Sequence, residues 1–287
     1  MPEGHSIHRL ARGLARDFGG RPVRASSPQG RFSDGAARID GHVLERAEAW
    51  GKHLFLHLGT RDVVHVHLGL YGTFLTAPLP APAPQGALRL RLEGDTSYAD
   101  LRGPTACEVL EPAGRRAVLA RLGPDPLRRD VGPEPMRRRV TSSRAPVATL
   151  LMDQSVVAGV GNIYRAELLF RHRVSPFREG REVAPDVLDA MWEDLRVLMR
   201  DGVRRGRIVT VTRADVARLA ALDADRPPAD DPELDGGDDT LAMRRRRRET
   251  GTYVYRREGR ACVRCSTPVA ARELSGRRLF WCPGCQV

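Results

Sequence analysis

The chain has 287 residues, 41% of them hydrophobic and 29% charged, with 47 Lys and Arg against 36 Asp and Glu for a formal net charge of +11 at pH 7. That length supports two or three domains with a substantial core, no stretch is apolar enough for a membrane span, and the N-terminus lacks the basic-then-apolar pattern of a secretory signal. The expectation is a soluble protein of a reducing compartment with no membrane partner, and the excess of positive charge, present even without the run Arg244 to Arg248, favours a polyanion.

An amphipathic helix opens the chain, with Ile7, Leu10, Leu14 and Phe18 on one face and Arg9, Arg12 and Arg16 on another. Strand patterns follow at Val43 to Ala49, His53 to Leu58 and Val63 to Leu68, the last two joined as a hairpin through Gly59-Thr60-Arg61-Asp62. Further β pattern lies at Leu88 to Leu92 and Cys107 to Leu110, while Ala77 to Pro84 reads as a loop. His53, His57, His65 and His67 alternate on neighbouring strands; a second metal is one reading, and polar side chains facing solvent or a nucleic acid is the simpler one.

The character changes near Gly123, where Gly-Pro-Asp-Pro-Leu and then Val131-Gly132-Pro133-Glu134-Pro135 break any strand. Helical periodicity takes over: Val147, Leu150 and Leu151 in one helix, Ile163, Ala166, Leu169 and Phe170 in the next, and Leu188, Met191, Trp192, Leu195, Leu198 and Met199 in a longer one. Between the first two, Gly159-Val160-Gly161-Asn162 is either a turn and helix cap or a place where backbone amides approach a phosphate. Residues 221–250, rich in Asp, Gly and Pro and then Arg, read as a flexible linker.

The last segment carries the strongest local signal. Cys262, Cys265, Cys282 and Cys285 form two Cys-x-x-Cys pairs separated by enough residues for a short β-hairpin, the spacing of a structural site for one Zn²⁺. Arg256, Arg257, Arg260, Arg264, Arg272, Arg277 and Arg278 interleave there with Tyr253, Tyr255, Phe280 and Trp281, which suits a nucleic acid. Cys107 has no partner of its own and reads as a small apolar residue.

The opposite end is informative in another way. Pro2 is small enough for the initiator methionine to be removed, which exposes a secondary amine directly followed by the carboxyl group of Glu3. Such an amine attacks an aldehyde-like sugar carbon to give an iminium. From these two residues alone the plainer reading is Pro in a first helical turn with Glu at the positive end of the helix dipole.

Together these features resemble the formamidopyrimidine-DNA glycosylase and endonuclease VIII family of base-excision repair enzymes. The resemblance spans the whole chain and rests on Met1-Pro2-Glu3-Gly4, Gly51-Lys52, Leu70-Tyr71-Gly72, Leu122-Gly123-Pro124-Asp125-Pro126-Leu127, Met152-Asp153-Gln154 through Gly161-Asn162-Ile163-Tyr164, and Arg277 with Phe280-Trp281-Cys282-Pro283-Gly284-Cys285-Gln286. It implies an α+β multidomain fold: an N-terminal β-sandwich with flanking helices (1–122), a helix-two-turn-helix domain (123–220), the linker and a β-hairpin zinc finger (251–287), with DNA crossing the cleft between. It implies a bifunctional glycosylase and AP lyase acting on damaged DNA, in duplex and in single-stranded or bubble form, as a cytoplasmic, nucleoid-associated monomer. Pro2 would be the nucleophile, Glu3 the acid/base, and Lys52 a cation beside the sugar and phosphate of the flipped nucleotide. Asn162 and Arg277 would clamp phosphates, and Leu70 and Tyr71 would fill the gap in the duplex.

Departures from the family pattern bear on substrate. Ser6 stands where many members carry a second carboxylate, and Asp100-Leu101-Arg102 is followed by Gly103-Pro104 where the formamidopyrimidine branch has an Arg-x-Phe wedge. Leu70-Tyr71-Gly72 and the Phe-Trp-Cys ending lie closer to endonuclease VIII, so oxidised pyrimidines are the expected lesions. The alternatives are removal of 8-oxoguanine by a formamidopyrimidine-type enzyme and a non-catalytic zinc-containing DNA-binding protein.

Overall fold

The computed structural model describes residues 2–59, 61–223 and 251–287. Met1, Thr60 and the arginine run at 244–248 lie outside the described residues, as does nearly all of the expected linker. The chain divides into two compact units, one of residues 1–132 with 157–159, the other of residues 133–156 with 160–287.

The first unit begins with α1 (Gly4–Phe18), whose apolar face buries Ile7, Ala11, Leu14 and Phe18. The chain then forms β1 (Arg24–Ser26), α2 (Ser33–Ile39), β2 (Arg46–Trp50), β3 (His53–His57), β4 (Val63–His67), β5 (Thr73–Pro78), β6 (Leu88–Glu93), β7 (Ser97–Arg102), β8 (Ala106–Leu110) and α3 (Pro112–Ala120). The strands make two four-stranded sheets, ordered β1-β6-β7-β5 and β2-β3-β4-β8, with every pairing antiparallel. Leu54, Leu56, Val64 and Val66 of one sheet and Leu90, Leu92, Ala99 and Leu101 of the other share a core with α1 and α2, which makes this a β-sandwich flanked by helices. Alternation puts His53, Phe55, His65 and His67 on the other face of their sheet, where α3 covers Phe55 and Val63 with Val118 and Leu119.

Several elements were not legible in the sequence. β7 carries Asp100 and Arg102 and has no clean alternation, yet it sits between β5 and β6 and pairs with both. Its charge is accommodated on the face away from the core: Arg91 makes a bidentate ion pair with Asp100 at 2.7 and 2.9 Å and donates to the carbonyl of Pro82 at 2.8 Å. The Pro- and Ala-rich segment is a loop as expected, except that Ala77 and Pro78 complete β5.

The second unit is helical, then β. It comprises α4 (Glu134–Thr141), α5 (Val147–Leu150), α6 (Asn162–Arg171), a 3₁₀ turn at Gly180–Glu182, α7 (Pro185–Arg205), α8 (Arg213–Asp223), β9 (Ala270–Leu274) and β10 (Arg277–Trp281). In α7, Pro185 fits the first turn, where its missing amide costs nothing, and Gly206 ends the helix at φ 72° in the left-handed region. Helix α8 runs through Asp223, so the chain stays helical for three residues where the linker was expected to begin. No helix among the described residues is long and apolar enough to cross a membrane.

β9 and β10 form an antiparallel hairpin with Arg277 paired to Leu274 at the tip. The two turn residues, Ser275 and Gly276, have φ values of 52° and 71°, the left-handed pair that a tight two-residue hairpin requires. The hairpin and its lead-in pack Tyr253, Val254, Val269 and Phe280 against Ala166 and Phe170 of α6.

Candidate active site and metal centre

Three segments meet at the N-terminal end of α1, all within the first unit. Glu3 stands at the N-terminal end of the helix with extended backbone, makes no side-chain cap hydrogen bond, and has a fully buried side chain. The Gly4 amide donates to the carbonyl of Gly159 at 2.8 Å. A Cβ on Gly4 would lie 2.9 Å from Gly159 Cα, and one on Gly51 would lie 2.8 Å from Ala158 Cβ and 2.9 Å from Gly159 N. Gly51 also needs φ 56°, so glycine is required there twice over. These contacts bring Pro2-Glu3, the Gly51-Lys52 turn and the Ala158-Gly159 loop into one locality.

A residue that the sequence reading passed over holds that locality together. Asp125, fully buried, accepts from His8 Nε2 at 2.7 Å, from the Gly51 amide at 2.7 Å and from the Leu127 amide at 2.8 Å. The Trp50 indole donates to the Gly123 carbonyl at 3.0 Å, and the Ala158 amide donates to the Pro124 carbonyl at 3.0 Å. The Gly-Pro-Asp-Pro segment, read from the sequence as a junction and as one of the family motifs, thus ties α1, the Lys52 turn and the 157–159 loop. Its signal was a lone Asp between two prolines, with nothing local to name its partners. Asp125→Ala leaves a histidine, the buried Gly51 amide and the half-buried Leu127 amide without this acceptor, so unfolding should show a loss of about 1–3 kcal/mol, and turnover should fall at least about tenfold through displacement of Lys52. Turnover equal to wild type in a folded variant would remove Asp125 from this role.

Ser6 bonds His5 Nε2 at 3.2 Å and supplies no carboxylate. His5 is buried, and that burial, with the neighbouring His8, pushes it down to about 4. Lys52 is half-buried; together with the adjacent histidines it acts electrostatically on His53, which burial first and these charges second push down to about 3.

Leu70 and Tyr71 follow β4 and are exposed, Tyr71 by 83%. Gly69, at φ 71°, lets this loop pass Thr105, whose Oγ1 would lie 1.9 Å from a Cβ at that position. The neighbouring turn has Gly103 at φ 53° and a buried Pro104.

In the second unit Asn162 is joined to the hairpin strand that also carries Arg277. Gly161 is the residue before α6, and Asn162 begins it without capping it. Instead Asn162 Nδ2 donates to the Arg278 carbonyl at 2.8 Å, while Arg165 donates to its Oδ1. The sequence suggested a cap or a phosphate contact, and the side chain is engaged with the strand that carries Arg277. The lead-in to the hairpin is anchored by Glu167, fully buried, which accepts from the amides of Tyr253 at 2.7 Å, Val254 at 2.8 Å and Tyr255 at 2.9 Å, and from the hydroxyl of Thr210. A carboxylate inside an apolar helix face was the available sign of this role.

The four cysteine sulfurs lie within 4.8 Å of one another. Cys262 to Cys285 is 3.8 Å, Cys265 to Cys282 is 3.4 Å and Cys265 to Cys285 is 3.4 Å. Tetrahedral thiolate coordination with metal–sulfur bonds of about 2.3 Å places sulfurs about 3.8 Å apart, so the set fits such an ion. A Cβ on Gly284 would stand 3.1 Å from Cys265 Sγ and 2.5 Å from Thr267 Oγ1, which keeps that turn glycine. Among the described residues no other group of three or more possible ligands converges, so the four strand histidines form no second centre. Cys107 is half-buried against the sandwich core, and burial pushes its thiol up to about 12.

Comparison with known proteins decides the family. Residues 1–107 match the formamidopyrimidine-DNA glycosylase N-terminal domain, and residues 122–214 match the formamidopyrimidine-DNA glycosylase H2TH domain. The chain belongs to this family of DNA glycosylases. It is 49% identical to endonuclease 8 1 of Mycobacterium tuberculosis over the full length of both chains. It is 30% identical to the formamidopyrimidine-DNA glycosylase of Thermus thermophilus, over all of this chain and 97% of the other. The fold is also that of Lactococcus lactis formamidopyrimidine-DNA glycosylase non-covalently bound to DNA containing an AP site, with a TM-score of 0.75 at 18% identity over 99% of each chain. Membership makes the protein a base-excision repair enzyme, a DNA glycosylase with AP lyase activity.

Proposed function

We propose that this glycosylase removes oxidised pyrimidines through a Schiff base on Pro2 and then cleaves the strand by β,δ-elimination. Support for this reading comes from the close packing of Gly4 and Gly51 on Gly159, which puts the backbone that follows Pro2-Glu3 and the backbone that precedes Lys52 in one locality. The Pro2 nitrogen, free once Met1 is removed, attacks the anomeric carbon of the damaged nucleotide. The glycosidic bond breaks and the base leaves with its electron pair. Glu3, withdrawn from water, delivers a proton to the opening sugar oxygen, and the resulting iminium acidifies the adjacent sugar carbon so that the 3′ and then the 5′ phosphate leave. Lys52 compensates the charge of the flipped nucleotide's phosphate, and Asn162 and Arg277 hold phosphates from the α6 and hairpin side. The bound ion is Zn²⁺, held by Cys262, Cys265, Cys282 and Cys285, and it shapes the hairpin without taking part in the chemistry. The enzyme works as a monomer at the nucleoid in a reducing cytoplasm, which keeps these thiols available to metal.

The pyrimidine preference rests on the exposed Leu70 and Tyr71 and on the compact Gly103-Pro104-Thr105 turn. Apolar filling and stacking discriminate poorly among opposite bases, so dependence on the opposite base should be weak and activity on single-stranded or bubble DNA substantial. A panel of single-lesion oligonucleotides tests this: oxidised pyrimidines should be released in both duplex and single strands. Strong excision of 8-oxoguanine opposite cytosine, with no release of an oxidised pyrimidine from single strands, would overturn the assignment.

A further inference from the structure

The outer face of the β2-β3-β4-β8 sheet carries a continuous run of hydrogen-bonded side chains that the mechanism above leaves unused. His53 and His67 are partners across β3 and β4, and His65 and Glu108 are partners across β4 and β8. Glu108 Oε1 lies 2.9 Å from His65 Nδ1, and His65 Nε2 lies 2.8 Å from His53 Nδ1. The His53 and His65 rings stack with centroids 5.1 Å apart, and the His67 ring is 4.8 Å from that of His53. The chain of bonds runs from a carboxylate whose side chain is 51% exposed, through a histidine whose side chain is 5% exposed, to the strand residue that follows Lys52.

The proton positions follow from the donors available. An ionised Glu108 only accepts, so His65 carries its proton on Nδ1; its Nε2 then accepts from His53 Nδ1, and His53 Nε2 is left as the bare base. A proton arriving from solvent on His53 Nε2 is shared down the chain: Nδ1 of His53 passes its proton toward His65 Nε2, and His65 Nδ1 passes its proton toward Glu108. No other bond changes.

We propose that Glu108, His65 and His53 form a proton-sharing relay that couples the docking of a phosphodiester beside Lys52 to the uptake of one proton from solvent. This rests on the DNA-processing role assigned to Lys52 above. The groups around the relay set the sign of the effect. Burial first, and then His67, His65, Arg121 after α3 and Lys52 in the β2-β3 turn, disfavour an imidazolium at His53 in the free protein, and His67 is likewise pushed down by burial first. On β2 and β3, Glu48 is spent on its own partners: burial opposes its charge, yet His57, Arg115 and Arg46 hold it down to about 2. Arg128, in the segment after α3 and stacked on Trp50, is paired with Asp130 through two hydrogen bonds of 3.0 Å and adds little net charge. Helix α1 packs on the opposite face and contributes no group to this one. An anion brought to Lys52 shifts this balance toward the imidazolium, with Glu108 stabilising the far end of the charge. His65 and Glu108 are therefore positioning residues that act through His53.

The test is calorimetric titration of the zinc-loaded protein with a duplex bearing a tetrahydrofuran abasic analogue. Buffers of different ionisation enthalpy at pH 6 report the protons taken up. Wild type should take up about one proton more per duplex than Glu108→Gln, and its affinity should rise by up to about tenfold more per unit fall in pH. His53→Gln should lose the same increment, which keeps the test open if one variant folds poorly; zinc content and thermal unfolding monitor folding. Equal proton uptake in wild type and in both folded variants overturns the relay and leaves the glycosylase reading intact. A wild-type protein that binds no abasic duplex at any pH overturns both.

Discussion

Extending the chain by one residue before Pro2 is expected to abolish base release and borohydride trapping together. The extension turns the only secondary amine of the backbone into an amide, whose lone pair is delocalised and does not attack a sugar carbon. The expected fall in excision is at least about a thousandfold, or about 4 kcal/mol of barrier. DNA binding should persist, since the phosphate contacts assigned to Lys52, Asn162 and Arg277 are untouched. Glu3→Gln separates the two roles at this end: it leaves the amine in place, so DNA binding should remain while base release is lost for want of a proton donor. A tagged protein with full excision and full trapping would show that Pro2 is not the nucleophile, and undiminished excision by Glu3→Gln would remove that carboxyl from the mechanism.

The second large effect concerns the metal. Structural zinc sites of this kind contribute about 10–16 kcal/mol of apparent binding free energy at neutral pH, and that energy is coupled to local folding. Cys282→Ser removes a fully buried sulfur whose neighbour Phe280 packs on α6. It should release the ion, unfold the β9-β10 hairpin and lower DNA affinity, because Arg277 sits at the tip of that hairpin. Arg277→Ala is the control: zinc is retained, affinity falls by about 1–3 kcal/mol, and the salt dependence of binding drops by about one charge. Metal analysis of unchelated protein should return one equivalent of zinc. A metal-free preparation that binds lesion DNA as tightly as the loaded protein would contradict the assignment.

The two effects differ in kind. Blocking Pro2 is expected to remove chemistry while the fold stands, whereas losing the cysteine is expected to remove local structure, with binding lost as a result. Asp125 falls between, since its three hydrogen bonds belong to the packing of the first unit yet hold the turn that carries Lys52.

What the sequence determined by itself was whatever depends on neighbours in the chain. The 3.6-residue stripe from Ile7 to Phe18, the alternation in β3 and β4 and the paired Cys-x-x-Cys spacing were legible because helix faces, strand faces and metal turns are local properties. The family resemblance rested on short motifs in order, from Met1-Pro2-Glu3-Gly4 to Phe280-Trp281-Cys282-Pro283-Gly284-Cys285-Gln286. The tertiary structure alone decided what depends on distant partners. β7 is a strand because β5 and β6 pair with it on both sides, against the weak alternation of its own residues. Asn162 engages a carbonyl 116 residues away instead of capping its helix, and Asp125 reaches His8 across 117 residues. Glu167 is tolerated at full burial only because three amides from residues 253–255 arrive to meet it. A buried polar group is stable when the fold brings its partners, and the path of the backbone that brings them is written in no local period.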